Sequence, residues 1–207
     1  MFAQVESGSI TSFPKGNKGI QIGDNKYPKS IYTLWTESER NAIGIYTVEI
    51  DETNRKDETF YINTDITYAF GSGKVTGSYG TATAKRLNDE DAVDENGDKL
   101  KDADGNQVIN YGLKTQYKNK FNAEAAGLLA KTDWYVIKAA DVTDYNVPSN
   151  VATYRAAVRT KVNAMETSID NCSDVDALET LLTYTNTGTE ENPVITRPLG
   201  EFPKEVV

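Results

Sequence analysis

The sequence predicts an α+β protein: an N-terminal antiparallel β part followed by a C-terminal helical hairpin plus a third helix. Three observations predict it. Over 60–70 the apolar period is two, with Phe60, Ile62, Thr64, Ile66, Tyr68 and Phe70 expected on one buried face and Tyr61, Asn63, Asp65, Thr67 and Ala69 on the other. From Leu113 the period turns helical: Leu113, Tyr117, Phe121, Ala125 and Leu128 fall on one stripe. Between them, residues 86–106 carry eight Asp or Glu against three Lys or Arg and almost no large apolar side chains. The implied organisation is a β-rich domain at 1–85, an acidic β-ribbon or linker at 86–112, a helical domain at 113–185 and an extended tail at 186–207.

In order, residues 1–14 read as a hairpin about Glu6-Ser7-Gly8-Ser9, and 15–29, rich in Gly, Asn and Lys, as loop. Thr36-Glu37-Ser38-Glu39 fits a capping box, in which the Thr36 hydroxyl caps the third helical amide and Glu39 reaches back. That short helix should stop before Gly44, which tolerates a left-handed backbone. Ile45 to Ile50 alternates as a strand. Gly71-Ser72-Gly73 turns the chain, and Lys74 to Lys85 returns as the partner strand. Asn96-Gly97 and Asp104-Gly105 mark two turns in the acidic stretch.

Thr132 is expected to cap a break after the first long helix, with Asp133 favourable in the next first turn. Ser149 or Asn150 is expected to cap a second long helix. Its apolar residues Val151, Tyr154, Val158, Val162, Met165 and Ile169 form a near-heptad seam. Asp174 caps a third helix bearing Val175, Leu178, Leu181 and Leu182.

Composition narrows the chemistry. The 207 residues include no histidine and one cysteine, Cys172. That removes the commonest general base, Ser-His and Cys-His pairs, and a cysteine-based zinc site. A net charge of −9 argues against nucleic acid and anionic membranes as partners. MFAQVESGSI lacks the pattern of a signal peptide, and no 18-residue apolar run is present, so a soluble protein of a reducing cytoplasm is expected.

No motif announces catalysis. Gly71-Ser72-Gly73-Lys74-Val75-Thr76 fails as a phosphate loop, because Tyr68 replaces the first glycine and Val75 the Ser or Thr after lysine. Asp94-Glu95-Asn96-Gly97-Asp98 begins like a calcium loop, but Lys99 replaces the sixth-position glycine and Gly105 the closing Glu, which favours an acidic hairpin. No catalytic residue, cofactor or metal is expected. The candidate interaction or structural-lock residues are Asp133, Trp134, Tyr135, Tyr154, Arg155 and Arg159. Arg155 and Arg159, one turn apart, are placed to meet Asp133 as an ion pair between helices; Trp134 and Tyr135 suit either core or an interface.

The segment 113–170 resembles the helical unit of tailed-bacteriophage tail accessory proteins of the tail assembly chaperone or tail-fibre-assembly type. The matching residues are Leu128-Leu129-Ala130, Thr132-Asp133-Trp134, Val147-Pro148, Tyr154-Arg155 and Val158-Arg159. Weaker similarity lies in the opening hairpin, in Ile43-Gly44-Ile45-Tyr46 and in Arg197-Pro198-Leu199-Gly200-Glu201-Phe202-Pro203. Residues 51–110 depart from the shorter members. The resemblance implies a non-enzymatic structural or assembly protein of the virion tail, or of the host cytoplasm during assembly. Its expected partners are phage tail or tail-fibre proteins, with homo-oligomerisation open. The alternative from the residues is a carbohydrate-binding module, with aromatic side chains of the β part stacking on sugars at the host surface.

Overall fold

A computed structural model describes residues 1–205, and the chain divides into two compact units, 1–84 and 85–207. In the first unit, strands β1 (Phe2–Glu6) and β2 (Ser9–Ser12) form the expected hairpin, closed by Ser7 and Gly8 at positive φ. Residues 15–29 are not all loop. β3 (Ile20–Ile22) and β4 (Asn25–Tyr27) pair about Gly23 at φ 56°, because Ile20, Ile22 and Tyr27 have a cluster to pack on. Helices α1 (Ile31–Leu34) and α2 (Glu37–Ala42) follow. The capping box is formed as expected: Glu39 N donates to Thr36 Oγ1 and Thr36 N to Glu39 Oε2. Gly44, at φ 81°, ends the helix, and a Cβ there would sit 2.6 Å from the Val5 carbonyl oxygen.

β5 (Ile45–Asp51) pairs antiparallel with β1 but parallel with a strand from beyond residue 70. The N-terminal sheet is therefore mixed, a correction to the antiparallel expectation. The physical reason is the long connection after Asp51, which lets the chain cross before pairing. The continuous strand expected over 60–70 is also broken. β6 (Tyr61–Ile62) and β7 (Ile66–Gly71) are separate, and Ile62 and Tyr68 are exposed. Thr64 Oγ1 takes the Gly80 amide at the break, and Asn63 holds Lys56 through both amide atoms. β7 turns through Ser72 and Gly73, both at positive φ, into β8 (Lys74–Tyr79), the partner of β5; β9 (Thr83–Ala84) pairs with β6. The five-stranded order is β2-β1-β5-β8-β7. One face buries Ala3, Val5, Val48 and Val75 with Tyr46 and Phe70; the other buries Ile31, Tyr32 and Ile45 with Phe2 and Trp35.

The second unit opens on the acidic stretch, which is ribbon, but of three arms. β10 (Glu90–Asp91) pairs with β11 (Ile109–Asn110), while Val93 bridges Lys99 and Lys101 bridges Gln107. At the centre three backbone bonds close a ring: Ala92 N to Val108 O, Leu100 N to Ala92 O, and Val108 N to Leu100 O. Each outer arm folds over an aspartate. Asp94 Oδ1 accepts from the amides of Asn96 and Asp98, and Asp102 Oδ1 from those of Asp104 and Asn106. Those amides hold both carboxyls below the usual carboxylate range.

The ribbon's base caps the next helix, α3 (Leu113–Ala130). Gly112 has no side chain to do so; the first-turn amides of Leu113 and Lys114 donate instead to Arg86 O and Leu87 O, and Asp89 accepts from Gly112 N and Thr115 Oγ1. α4 (Asp133–Asp141), α5 (Ser149–Asp170) and α6 (Val175–Leu182) complete the helical part. Helix α5 buries Val151, Tyr154, Val158, Val162, Met165 and Ile169, the whole expected seam. α3 runs antiparallel along it: Lys118 bonds Asp170 at 2.8 Å and Asn122 bonds Glu166 at 2.6 Å, while Leu129 meets Arg155. α5 begins on Pro148 without a side-chain cap, so neither Ser149 nor Asn150 is the N-cap. Asp174 does cap α6, accepting from Ala177 N.

The last stretch is not simply extended. β12 (Thr185–Asn186) and β13 (Ile195–Thr196) pair, because Asn186 Oδ1 accepts from both Gly188 N and Val194 N and fixes the turn. Leu199 is then buried and its amide reaches Leu181 O. Among the described residues, no helix is long and apolar enough to cross a membrane.

Candidate functional site: the exposed α4 and its arginine lock

The junction of α3 and α4 has a polar problem: the last carbonyls of a helix lack intrahelical partners. Arg155 of α5 solves it. Its Nη1 donates to Leu129 O and Thr132 Oγ1, each at 2.7 Å, and its Nη2 meets Asp133 Oδ1 at 2.8 Å. The guanidinium is planar and forked, so one side chain can hold three acceptors in fixed directions. Thr132 does not cap α4 as expected; its hydroxyl donates back to Leu129 O and accepts from Arg155. The buried guanidinium thereby gains a hydroxyl partner inside the protein.

The lock thus joins Asp133 and Arg155, as the sequence suggested, and leaves out Arg159. That side chain is exposed and has no ion pair among the described residues. On α5 the stripe of Val151, Tyr154 and Val158 faces inward, and Arg159 lies off it. Tyr154 is buried, and its hydroxyl has no hydrogen-bond partner among the described residues. Burial pushes its pKa up.

α4 itself buries no residue. Trp134 is 51% exposed, Val136 43%, Ile137 61% and, just beyond the helix, Val142 47%. Trp134 and Ile137 lie one turn apart and share a face. Trp134 packs its ring on Tyr135 at 3.8 Å, and Lys138 sits over both Trp134 and Tyr145, with its ammonium 4.3 Å from the Tyr145 centroid. Tyr135 is half-buried. The lock therefore holds a short apolar helix in place while leaving its outer face to solvent.

A second cluster, unmarked by periodicity, fixes the C-terminal segment. Arg197 lies over Phe121 and Tyr184, 5.2 and 4.9 Å from their centroids. Its Nε meets Glu201 at 2.9 Å, and Tyr184 Oη donates to the same carboxylate at 2.8 Å. The spacing of Arg197 and Glu201 was visible in sequence; their distant aromatic partners were not.

In chemical terms the lock contains no nucleophile or free base, since Asp133 is held by Arg155. Cys172 is buried, and burial raises its thiol pKa. Among the described residues no cluster of three or more His, Cys, Asp or Glu is placed to hold a metal. Of the β-part aromatics considered for sugars, Tyr61 is buried and Tyr79 half-buried, whereas Tyr68 is exposed and pairs with Phe13 at 4.7 Å. No protein-family model, curated protein or solved structure matches this chain.

Proposed function

We propose that this chain is a non-enzymatic binding protein that docks on another protein through the outer face of α4. One observation carries the reading: Trp134 and Ile137 are exposed on a helix whose first residue, Asp133, is tied to the buried Arg155. Exposed tryptophan on a pre-ordered element is the kind of anchor that supplies binding energy at small entropic cost. Single exposed apolar residues need no explanation, but Trp134 and Ile137 are exposed one turn apart on the same face of α4.

The resemblance of 113–170 to tail accessory proteins supplies the class of partner: a phage tail or tail-fibre protein, or a second copy of the chain. In this reading α3 and α5 act as a helical hairpin to which α6 adds, and α4 is the contact helix at its turn. The protein works in the virion tail, or in the host cytoplasm while tails assemble. Mass spectrometry of purified particles separates these two: its presence at fixed stoichiometry marks a tail component, and its absence marks an assembly factor. Pull-down with co-expressed tail proteins tests docking itself.

A carbohydrate-binding role is the second reading, favoured by the exposed Phe13–Tyr68 pair. Glycan-array binding that is lost in Tyr68→Ala supports it; unchanged array binding removes it.

A further inference from the structure

The first unit contains a cavity of about 520 Å3 that the docking reading does not use. Its volume lies in the range of small-ligand sites. Gln4, Ser12, Phe13, Lys15, Lys18 and Tyr32 are among its lining residues, and no Asp or Glu lines it. Lys15 and Lys18 have no ion-pair partner among the described residues. Residues 15–29 hold four lysines against one aspartate in a chain of net charge −9, so this positive charge runs against the overall trend.

The backbone points the same way. The amides of Lys15, Gly16, Asn17 and Lys18 donate to no described residue. Gly16, at φ 71°, lets the loop lie against the rings of Phe2 and Tyr32, where a Cβ would stand 3.4 Å from each. Loop amides without a protein acceptor, beside ammonium groups, are available to an anion. Glu6 accepts from Gln4 Nε2, and Gln4 Oε1 accepts from Ser12 Oγ. Phe13, a lining residue that is 42% exposed and packs its ring on Tyr68, offers an apolar surface.

We propose that this cavity binds a sugar-sized ligand carrying an oxyanion, either a phosphate ester or a carboxylate. Lys15, Lys18 and the loop amides take the charge, and Phe13 packs against the body of the ligand. The site is independent of α4.

The test is NMR titration of the full chain with glucose 1-phosphate, glucuronate and glucose. At least one charged probe is expected to shift residues 13–20 and to bind about tenfold more tightly than glucose. Preference between the two charged probes identifies the anion. The double variant Lys15→Ala/Lys18→Ala, altered only on an exposed loop, should keep its circular dichroism and lose about tenfold in affinity. Trp134→Ala/Ile137→Ala should bind as wild type does, which separates this site from the docking face. Equal binding of glucose, an unaffected lysine variant, or no shift at 13–20 with either charged probe would each overturn the proposal.

Discussion

At the scale of single residues, Arg155 ties α5 to the junction of α3 and α4. It is 8% exposed and satisfies a helix end, a threonine hydroxyl and a carboxylate. Arg155→Ala removes the charge-assisted bonds to Leu129 O, Thr132 Oγ1 and Asp133, although Leu129 O keeps the Thr132 amide and hydroxyl; a loss of about 2 kcal/mol is expected in urea unfolding, since Asp133 is half-exposed. Arg155→Lys keeps the charge without the fork and should recover less than half of it. Tyr154 gives the opposite expectation. Its hydroxyl is buried without a described partner, so Tyr154→Phe should unfold at equal or higher urea concentration, with a gain of up to about 1 kcal/mol. A clear destabilisation would mean that the hydroxyl has a partner. The loop aspartates make a prediction about pH. Asp94 and Asp102 have folded pKa values lowered by backbone amides. Their ionised forms therefore stabilise the arms above the ordinary carboxylate range, and that support is lost as pH falls through the lowered values. Protection of the Asn96, Asp98, Asp104 and Asn106 amides, corrected for intrinsic exchange, should hold from pH 7 to about 4 and fall below that. Asp94→Ala should abolish it in the first arm at every pH.

At the scale of elements, local rules served where local physics governed. The capping box at Thr36 and Glu39, the Gly44 stop, the turn through Ser72 and Gly73, and the α5 seam all formed as the residues predict. Each depends on neighbours within a few positions, and those are legible in a sequence. The short hairpins at 20–27 and 185–196 and the start of α5 on Pro148 were local misses; several others arose from partners distant in the chain. The parallel pairing of β5 with β8 joins residues more than 20 apart, and nothing in either strand announces the choice. The break between β6 and β7 follows from Thr64 and Asn63 bonding elsewhere, which period-two alternation cannot report. Thr132 had the residue type of a cap, but Arg155 arrived from 23 positions away. The candidate site was legible by half for the same reason: Asp133 and Arg155 could be paired by charge, whereas the exposure of Trp134 could not be told from burial. The three-armed ribbon was legible as turns and acidic charge; its central ring of Ala92, Leu100 and Val108 is a property of the fold.

At the scale of the whole molecule, the two units carry different surface chemistry. The first offers a mixed sheet, an exposed aromatic pair and a lysine-lined cavity within an acidic chain. The second offers an acidic ribbon and a short helix, α4, with exposed Trp134 and Ile137. The docking role of α4 is the centre of the account, and it is separable from folding because α4 buries no residue. Trp134→Ala/Ile137→Ala should therefore leave the thermal midpoint within a few degrees of wild type. The direct measurement is a quantitative pull-down of co-expressed phage tail and tail-fibre proteins by the full chain and by this double variant. The account predicts that the wild-type chain retains a tail protein and that the folded variant loses it by about tenfold or more. Equal capture by both chains, or no capture by the wild-type chain, would contradict it.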